Sequence, residues 1–282
     1  MQKAEERGSR FGPGPSAGAA GGRRRPVDVA ALADTGEVAR ITLADGKLRA
    51  NKILAQMMDG RRGWSGQRRA VEAFRMVRTR ARQTLSAGGS TVRVLAVTSP
   101  RQGDGKTLTS INLAMGMARQ TTGKVLLIDG DLRLPGMAKT LGLKPAAGLS
   151  DYLAGTLPLA QCLLAAPGDK LFLLPQGRSL PHSSELLANG VLADLTRQVT
   201  RQFTEWTVII DCPPILAVDD TLVILDAVDK ALLVVREGRT RRTEMRRAAE
   251  AIGREKYLGT VLNDSRASRE SGQYYYYDYG YE

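Results

Sequence analysis

The stretch that most constrains this chain is an apolar run, Val92 to Thr98, that ends in Ser99-Pro100-Arg101-Gln102-Gly103-Asp104-Gly105-Lys106-Thr107. A helical pattern follows at once, with Leu108, Ile111, Leu113, Ala114 and Met117 as its apolar positions. Buried strand, glycine-rich turn and helix, in that order, are the context of a phosphate-binding loop. Gly103 and Gly105 let the backbone bend so that its N–H groups face phosphate oxygens. The helix N-terminus adds positive potential. Lys106 is placed to reach β- and γ-phosphates, and the Thr107 hydroxyl to ligate Mg²⁺. Pro100 stands where such loops usually carry their first glycine.

The pattern beyond the loop alternates between strands and helices. Strands are expected at Val125 to Asp129, Leu171 to Leu174, Val208 to Asp211, Ala231 to Arg236 and Leu258 to Asn263. Helices are expected at Lys106 to Gln120, Ser183 to Gln202 and Thr240 to Lys256, and another from Gln67 to Leu85 before the first strand. Strands that are apolar throughout are buried on both faces. The fold class is therefore α/β: a mostly parallel sheet flanked by helices.

Two of these strands end in carboxylates. Val125-Leu126-Leu127-Ile128-Asp129 continues as Gly130-Asp131-Leu132-Arg133, and Val208-Ile209-Ile210-Asp211 continues as Cys212-Pro213-Pro214. Ligands of α/β sheets bind beyond the carboxyl ends of the strands. Carboxylates buried there are costly unless they meet a cation. Asp129, Asp131 and Asp211 are expected to converge on one Mg²⁺–nucleotide site, two holding the ion through water and one accepting a proton.

Charge divides the chain. Of its net +12, residues 1–90 contribute most, with eighteen Lys and Arg against eight Asp and Glu. Three regions are expected: a basic, largely disordered stretch over 1–66, a P-loop domain over 67–263 and a tail over 264–282. No run approaches the roughly 18–20 apolar residues of a membrane helix, and a cytoplasmic protein is expected. Cys162 and Cys212 lack metal-like spacing and read as buried free thiols. Six of the eight tyrosines, Tyr274, Tyr275, Tyr276, Tyr277, Tyr279 and Tyr281, crowd the tail. Consecutive tyrosines at a terminus cannot all anchor a core, so they read as exposed hydroxyl acceptors.

The order Gly-Lys-Thr, Ile-Asp-Gly-Asp-Leu-Arg-Leu-Pro, Ile-Ile-Asp-Cys-Pro-Pro resembles the bacterial tyrosine kinases of polysaccharide export, relatives of the MinD/ParA-like P-loop ATPases. The similarity runs from about Arg68 to Glu282. It implies an ATP- and Mg²⁺-dependent kinase that phosphorylates its own tyrosine cluster in trans and so regulates exopolysaccharide or capsule polymerisation and export. The nucleotide set it implies is Gly103, Asp104, Gly105, Lys106, Thr107 and Leu108, with Arg133 and, near the base, Asn263. Thr107, Asp131 and Asp211 would hold the metal. Asp129 is the choice for the base, with Asp131 the alternative. Glu72, Arg75 and Arg78 match the family's Glu-x-x-Arg-x-x-Arg motif, which implies assembly into a homo-oligomeric ring. Further implied partners are a transmembrane polysaccharide copolymerase acting as activator, which would hold the chain at the inner face of the membrane, and a cognate tyrosine phosphatase; no nucleic acid is expected. Two rival readings remain: a MinD/ParA-type ATPase switch, and a nucleotide-sensing scaffold without catalysis. Arg101, where the ATPase switches carry a signature lysine, and the tyrosine tail favour the kinase.

Overall fold

The computed structural model describes residues 29–41 and 93–265, apart from 34, 35, 37, 120–122, 135 and 179–182, together with Met76, Val77, Thr79 and Gln83. Its strands are β1 (Ala39–Arg40), β2 (Val94–Thr98), β3 (Val125–Asp129), β4 (Leu164–Ala165), β5 (Leu171–Leu174), β6 (Thr207–Asp211), β7 (Lys230–Arg236) and β8 (Tyr257–Asn263). They form one sheet in the order β1-β4-β5-β3-β6-β2-β7-β8. Every pairing is parallel except β4 with β5. Because β2, β3, β6 and β7 run the same way, the loops that follow them gather at one edge. That edge carries the phosphate loop and both carboxylate segments.

Strand side chains alternate between two apolar layers, as the pleat requires. Leu126 and Ile128 of β3 join one layer with Ala96, Val208, Ile210 and Leu233. Val125 and Leu127 join the other with Leu95, Val97, Ile209 and Leu232. The second layer receives the helix Lys106–Ala118, which is buried along most of its length, Lys106 included. That burial fixes the helix axis beneath β3, β6 and β2 and aims its N-terminus at the strand ends.

Several elements differ from expectation. The helix expected over Ser183 to Gln202 is two, Ser183–Ala188 and Val191–Gln202. Gly190 takes φ 83° between them, and the Asn189 side chain accepts the Val191 N–H at 2.8 Å. That is stop-and-start chemistry in a place where apolar periodicity runs on unbroken. The helix expected over Thr240 to Lys256 is shorter, Arg242–Ile252. Short helices at Met137–Leu141, Leu149–Leu153, Leu159–Cys162 and Asp220–Leu225, and the strand β4, were not anticipated. One turn is too little to display a period.

Part of the region expected to be a basic leader belongs to the fold. Val29, Leu32 and Val38 are buried in the first apolar layer, β1 pairs with β4, and Arg40 donates to both carboxylate oxygens of Asp169 at 2.6 and 2.8 Å. Of the helix expected over Gln67 to Leu85, the described residues Met76, Val77, Thr79 and Gln83 are helical. Glu72, Arg75, Arg78 and the whole tyrosine cluster lie outside the described residues.

Removing the fully buried Leu32 side chain tests whether residues 29–41 belong to the domain. Leu32→Ala is expected to lower the unfolding free energy by about 2–4 kcal/mol in chemical denaturation. A detached leader would give no change.

Candidate nucleotide and phosphoryl-transfer site

The phosphate loop leaves β2 and turns through two left-handed glycines, Gly103 at φ 86° and Gly105 at φ 99°. Between them Asp104 is buried, and its carboxylate accepts the Arg101 N–H at 3.0 Å. Asn263, at the end of β8, donates through Nδ2 to the Asp104 carbonyl at 2.8 Å. A Cβ on Gly105 would stand 2.0 Å from that same Nδ2. Asn263, expected near a nucleotide base, braces the loop in this structure. Arg236 donates to the Gly103 carbonyl at 3.3 Å and pairs with Asp264 at 2.8 Å. At the tip, Arg101 pairs with Glu244, the acid that caps the helix Arg242–Ile252 by accepting the Arg241 N–H.

Lys106 lies inside this frame, buried, with Nζ 3.0 Å from Asp131 Oδ2. Burial works against its charge, but the nearby carboxylates of Asp211, Asp131 and Asp129 outweigh burial and raise its pKa. It is a firmly charged lysine held at the strand ends. Asp131 uses its other oxygen to accept the Leu134 N–H at 3.2 Å.

Asp129 and Asp211 are register partners across β3 and β6. Asp129 accepts backbone N–H groups from Asp131 at 3.3 Å and Met137 at 3.0 Å. Burial, reinforced by the charge of Asp211, pushes its pKa up to about 8. A carboxyl raised that far keeps its proton near neutrality until positive charge enters the site. Asp211 accepts the Ser110 hydroxyl on Oδ1 at 3.1 Å. Its pKa is raised by burial, against the pull of Lys106 and of hydrogen bonds from Thr107 and Ser110. Its second oxygen, Oδ2, is buried without a hydrogen-bond partner.

The carboxylates expected to converge do share the site, but among the described residues no three His, Cys, Asp or Glu side chains make a metal cage. Mg²⁺ keeps several waters and takes phosphate oxygens where it can, so an open site fits it better than a cage. The orphaned Asp211 Oδ2 and the Thr107 hydroxyl are the groups on this chain that suit it. A Cβ on Gly136 would sit 2.9 Å from Thr107 Oγ1, so the missing side chain there leaves that hydroxyl room. Leu108, in the first turn, presents its carbonyl to Asn112 Nδ2 at 2.7 Å.

The guanidinium of Arg133, expected in the nucleotide set, is gripped by Asp220, Nε to Oδ2 at 3.2 Å and Nη2 to Oδ1 at 2.9 Å. Ser110 and Asp220 were both missed from sequence. Ser110 stands one turn after Lys106 on the same helix, a usable signal. Asp220 meets Arg133 across 87 residues of chain, which no spacing rule reaches.

A phosphate loop with a buried lysine, opposite the strand-end carboxylate of Asp211 on a parallel sheet, defines a P-loop nucleotide-binding protein. A family model described as an AAA domain matches residues 92–240. Tyrosine-protein kinase CpsD of Streptococcus agalactiae is 31% identical over 246 residues, covering 86% of this chain and 95% of the relative. The kinase domain of Escherichia coli tyrosine kinase ETK superposes with a TM-score of 0.64 at 30% identity, covering 75% of this chain and 81% of that one. The cell division ATPase MinD of Pyrococcus furiosus follows at TM-score 0.51 and 26% identity, over 60% and 71%. The chain belongs to the bacterial tyrosine-protein kinase family, on a fold shared with MinD-type ATPases.

Gly105→Ala tests the loop conformation. An L-residue in the left-handed region costs roughly 1–2 kcal/mol, before the collision with Asn263. Affinity for a fluorescent ATP analogue is expected to fall about tenfold or more. Unchanged affinity would contradict the loop geometry.

Proposed function

We propose that this chain transfers the γ-phosphate of ATP to tyrosine hydroxyls, its own C-terminal cluster foremost, and through that autophosphorylation regulates export of a surface polysaccharide. The observation that carries the chemistry is the set at the ends of β3 and β6: Lys106 on Asp131, a buried Asp129 beside Asp211, and Asp211 with a buried oxygen unsatisfied.

In this reading Lys106 exchanges Asp131 for the phosphates, and the loop N–H groups hold the remaining oxygens. Bound Mg²⁺ would supply charge neutralisation for the phosphates; Thr107, Asp211 and the released Asp131 are the residues that would hold it. Asp129 takes the proton of the tyrosine hydroxyl as its oxygen bonds to the γ-phosphorus and the bond to the β-phosphate oxygen breaks. Positioning and charge stabilisation carry the rate.

Asp264, close to the last described residue, is held by the same Arg236 that touches the phosphate loop, and the proposed substrate segment follows it in the sequence. From Glu270 to Glu282 that segment has acidic but no basic residues, and each phosphate would add about −1.5 to −2 charges. A ring built through Glu72, Arg75 and Arg78 would bring one subunit's tail to the next subunit's site. Among the described residues no helix is long and apolar enough to cross a membrane. A transmembrane copolymerase that activates the kinase at the inner membrane face, and a phosphatase that resets it, complete the proposal.

Two results test it. Asp211→Asn is expected to cut phosphotyrosine formation by about two orders of magnitude or more, measured across a Mg²⁺ titration. A Lys106→Ala chain with an intact tail, mixed with an active chain lacking Tyr274 to Glu282, is expected to become labelled by the active partner. A dead chain left unmodified, beside wild type that labels itself, would place transfer in cis.

A further inference from the structure

We infer that Asp220 is a positioning residue for phosphoryl transfer: it stands on the segment that follows Asp211, clamps Arg133, and so fixes where Asp131 meets Lys106. The inference rests on the kinase reading and adds to it a residue that contacts neither nucleotide nor tyrosine.

Asp220 is fully buried, whereas the Arg133 side chain is about a third exposed. The two meet through a two-pronged contact, Nε to Oδ2 and Nη2 to Oδ1. The more exposed Asp219 adds a weaker attraction at 3.6 Å. Buried ion pairs are poor stabilisers, since desolvation offsets most of the attraction and apolar replacements are often as stable. A carboxylate sunk to zero exposure next to a reacting centre therefore calls for a reason other than stability. The rigid fork of arginine meeting a carboxylate fixes direction as well as distance.

What the fork fixes is the short, largely buried segment after β3 that carries Asp131. Residues 131, 132 and 133 are each held by a different element. Asp131 is held by Lys106 of the phosphate-loop helix. The Leu132 carbonyl accepts Gln176 Nε2 from the segment after β5 at 2.7 Å. Arg133 is held by Asp220. The Asp220 end is anchored in turn. Thr221 Oγ1 and Thr98 Oγ1 both donate to the Pro213 carbonyl at 2.7 Å, and Ile215 N–H donates to the Ser99 carbonyl at 2.9 Å. The clamp thus ties the Asp129–Asp131 segment to the Asp211 segment and, through Pro213 and Ser99, to the entrance of the phosphate loop. Loss of the clamp should leave the loop able to bind nucleotide but let Asp131 wander, and displacements of about 1 Å near a reacting centre cost up to about a hundredfold in rate.

The test compares the full-length wild-type chain with Asp220→Asn, Arg133→Lys and the double variant. Initial rates of phosphotyrosine formation are followed against ATP concentration, with Kd for a fluorescent ATP analogue measured on the same samples. Each single variant is expected to lower kcat about tenfold while KM and Kd for nucleotide stay within about threefold. The double variant is expected to match either single one, because both changes remove one pair. Multiplied losses in the double variant, an unchanged kcat, or a parallel loss of nucleotide affinity would each overturn the inference. If Asp220→Asn does not fold, Arg133→Lys decides alone, since it keeps a cation against Asp220 and loses only the fork. If the wild type forms no phosphotyrosine the kinase reading fails, and the clamp is then read from ATP hydrolysis in the same samples, with the same kcat pattern expected.

Discussion

One cation and three carboxylates share the dry end of a parallel sheet, and the rest of the structure is arranged around that concentration of charge. Lys106 is buried among Asp129, Asp131 and Asp211. With one positive charge for three acids, full ionisation is unfavourable, and the imbalance is met by a raised Asp129 and by hydrogen bonds from Ser110, Met137 and Leu134. Such a site is poised to accept further positive charge. An incoming magnesium–nucleotide complex would bring positive charge to the carboxylates and phosphates that the lysine can take in exchange for Asp131. Bound substrate would therefore relieve the imbalance, which is a physical reason for the site to close around it.

The sheet makes that arrangement possible. Parallel strands with alternating residues in two apolar layers leave no room for slippage, since a shift by one residue would exchange the layers. Asp129 and Asp211 therefore stand side by side with their register set by Leu126, Leu127, Ile128, Ile209 and Ile210 beneath them. The helix Lys106–Ala118 is buried on the same scaffold, so the lysine is delivered from a rigid element. The loops above are then tied to one another by Asn263, Asp220, Thr98 and Thr221, and not by their own periodicity.

Most of this frame was legible in the sequence because it is written in local patterns. Strands β3 and β5 and the start of the phosphate-loop helix coincide with apolar runs bounded by glycine or charge, and the strand-end aspartates announce themselves as polar residues terminating buried runs. What was illegible falls into two physical kinds. Short elements such as Met137–Leu141 and β4 hold too few residues to show a period, and their existence depends on tertiary contacts. Long-range polar contacts, Arg133 with Asp220 above all, join residues that nothing in the chain's spacing links. The burial of Val29, Leu32 and Val38 belongs to the second kind: three apolar residues just after a glycine- and arginine-rich stretch pack against a core built far downstream.

The central claim is that this concentration of charge moves phosphate from ATP to tyrosine and does not merely hydrolyse it. The direct measurement is phosphosite mapping by mass spectrometry on the purified full-length chain after incubation with Mg-ATP, with and without a membrane activator, alongside the release of inorganic phosphate. A kinase of this kind is expected to carry phosphate on the cluster from Tyr274 to Tyr281, formed in step with ATP consumption. Steady release of inorganic phosphate with every tyrosine unmodified under both conditions would contradict it and leave an ATPase switch in its place.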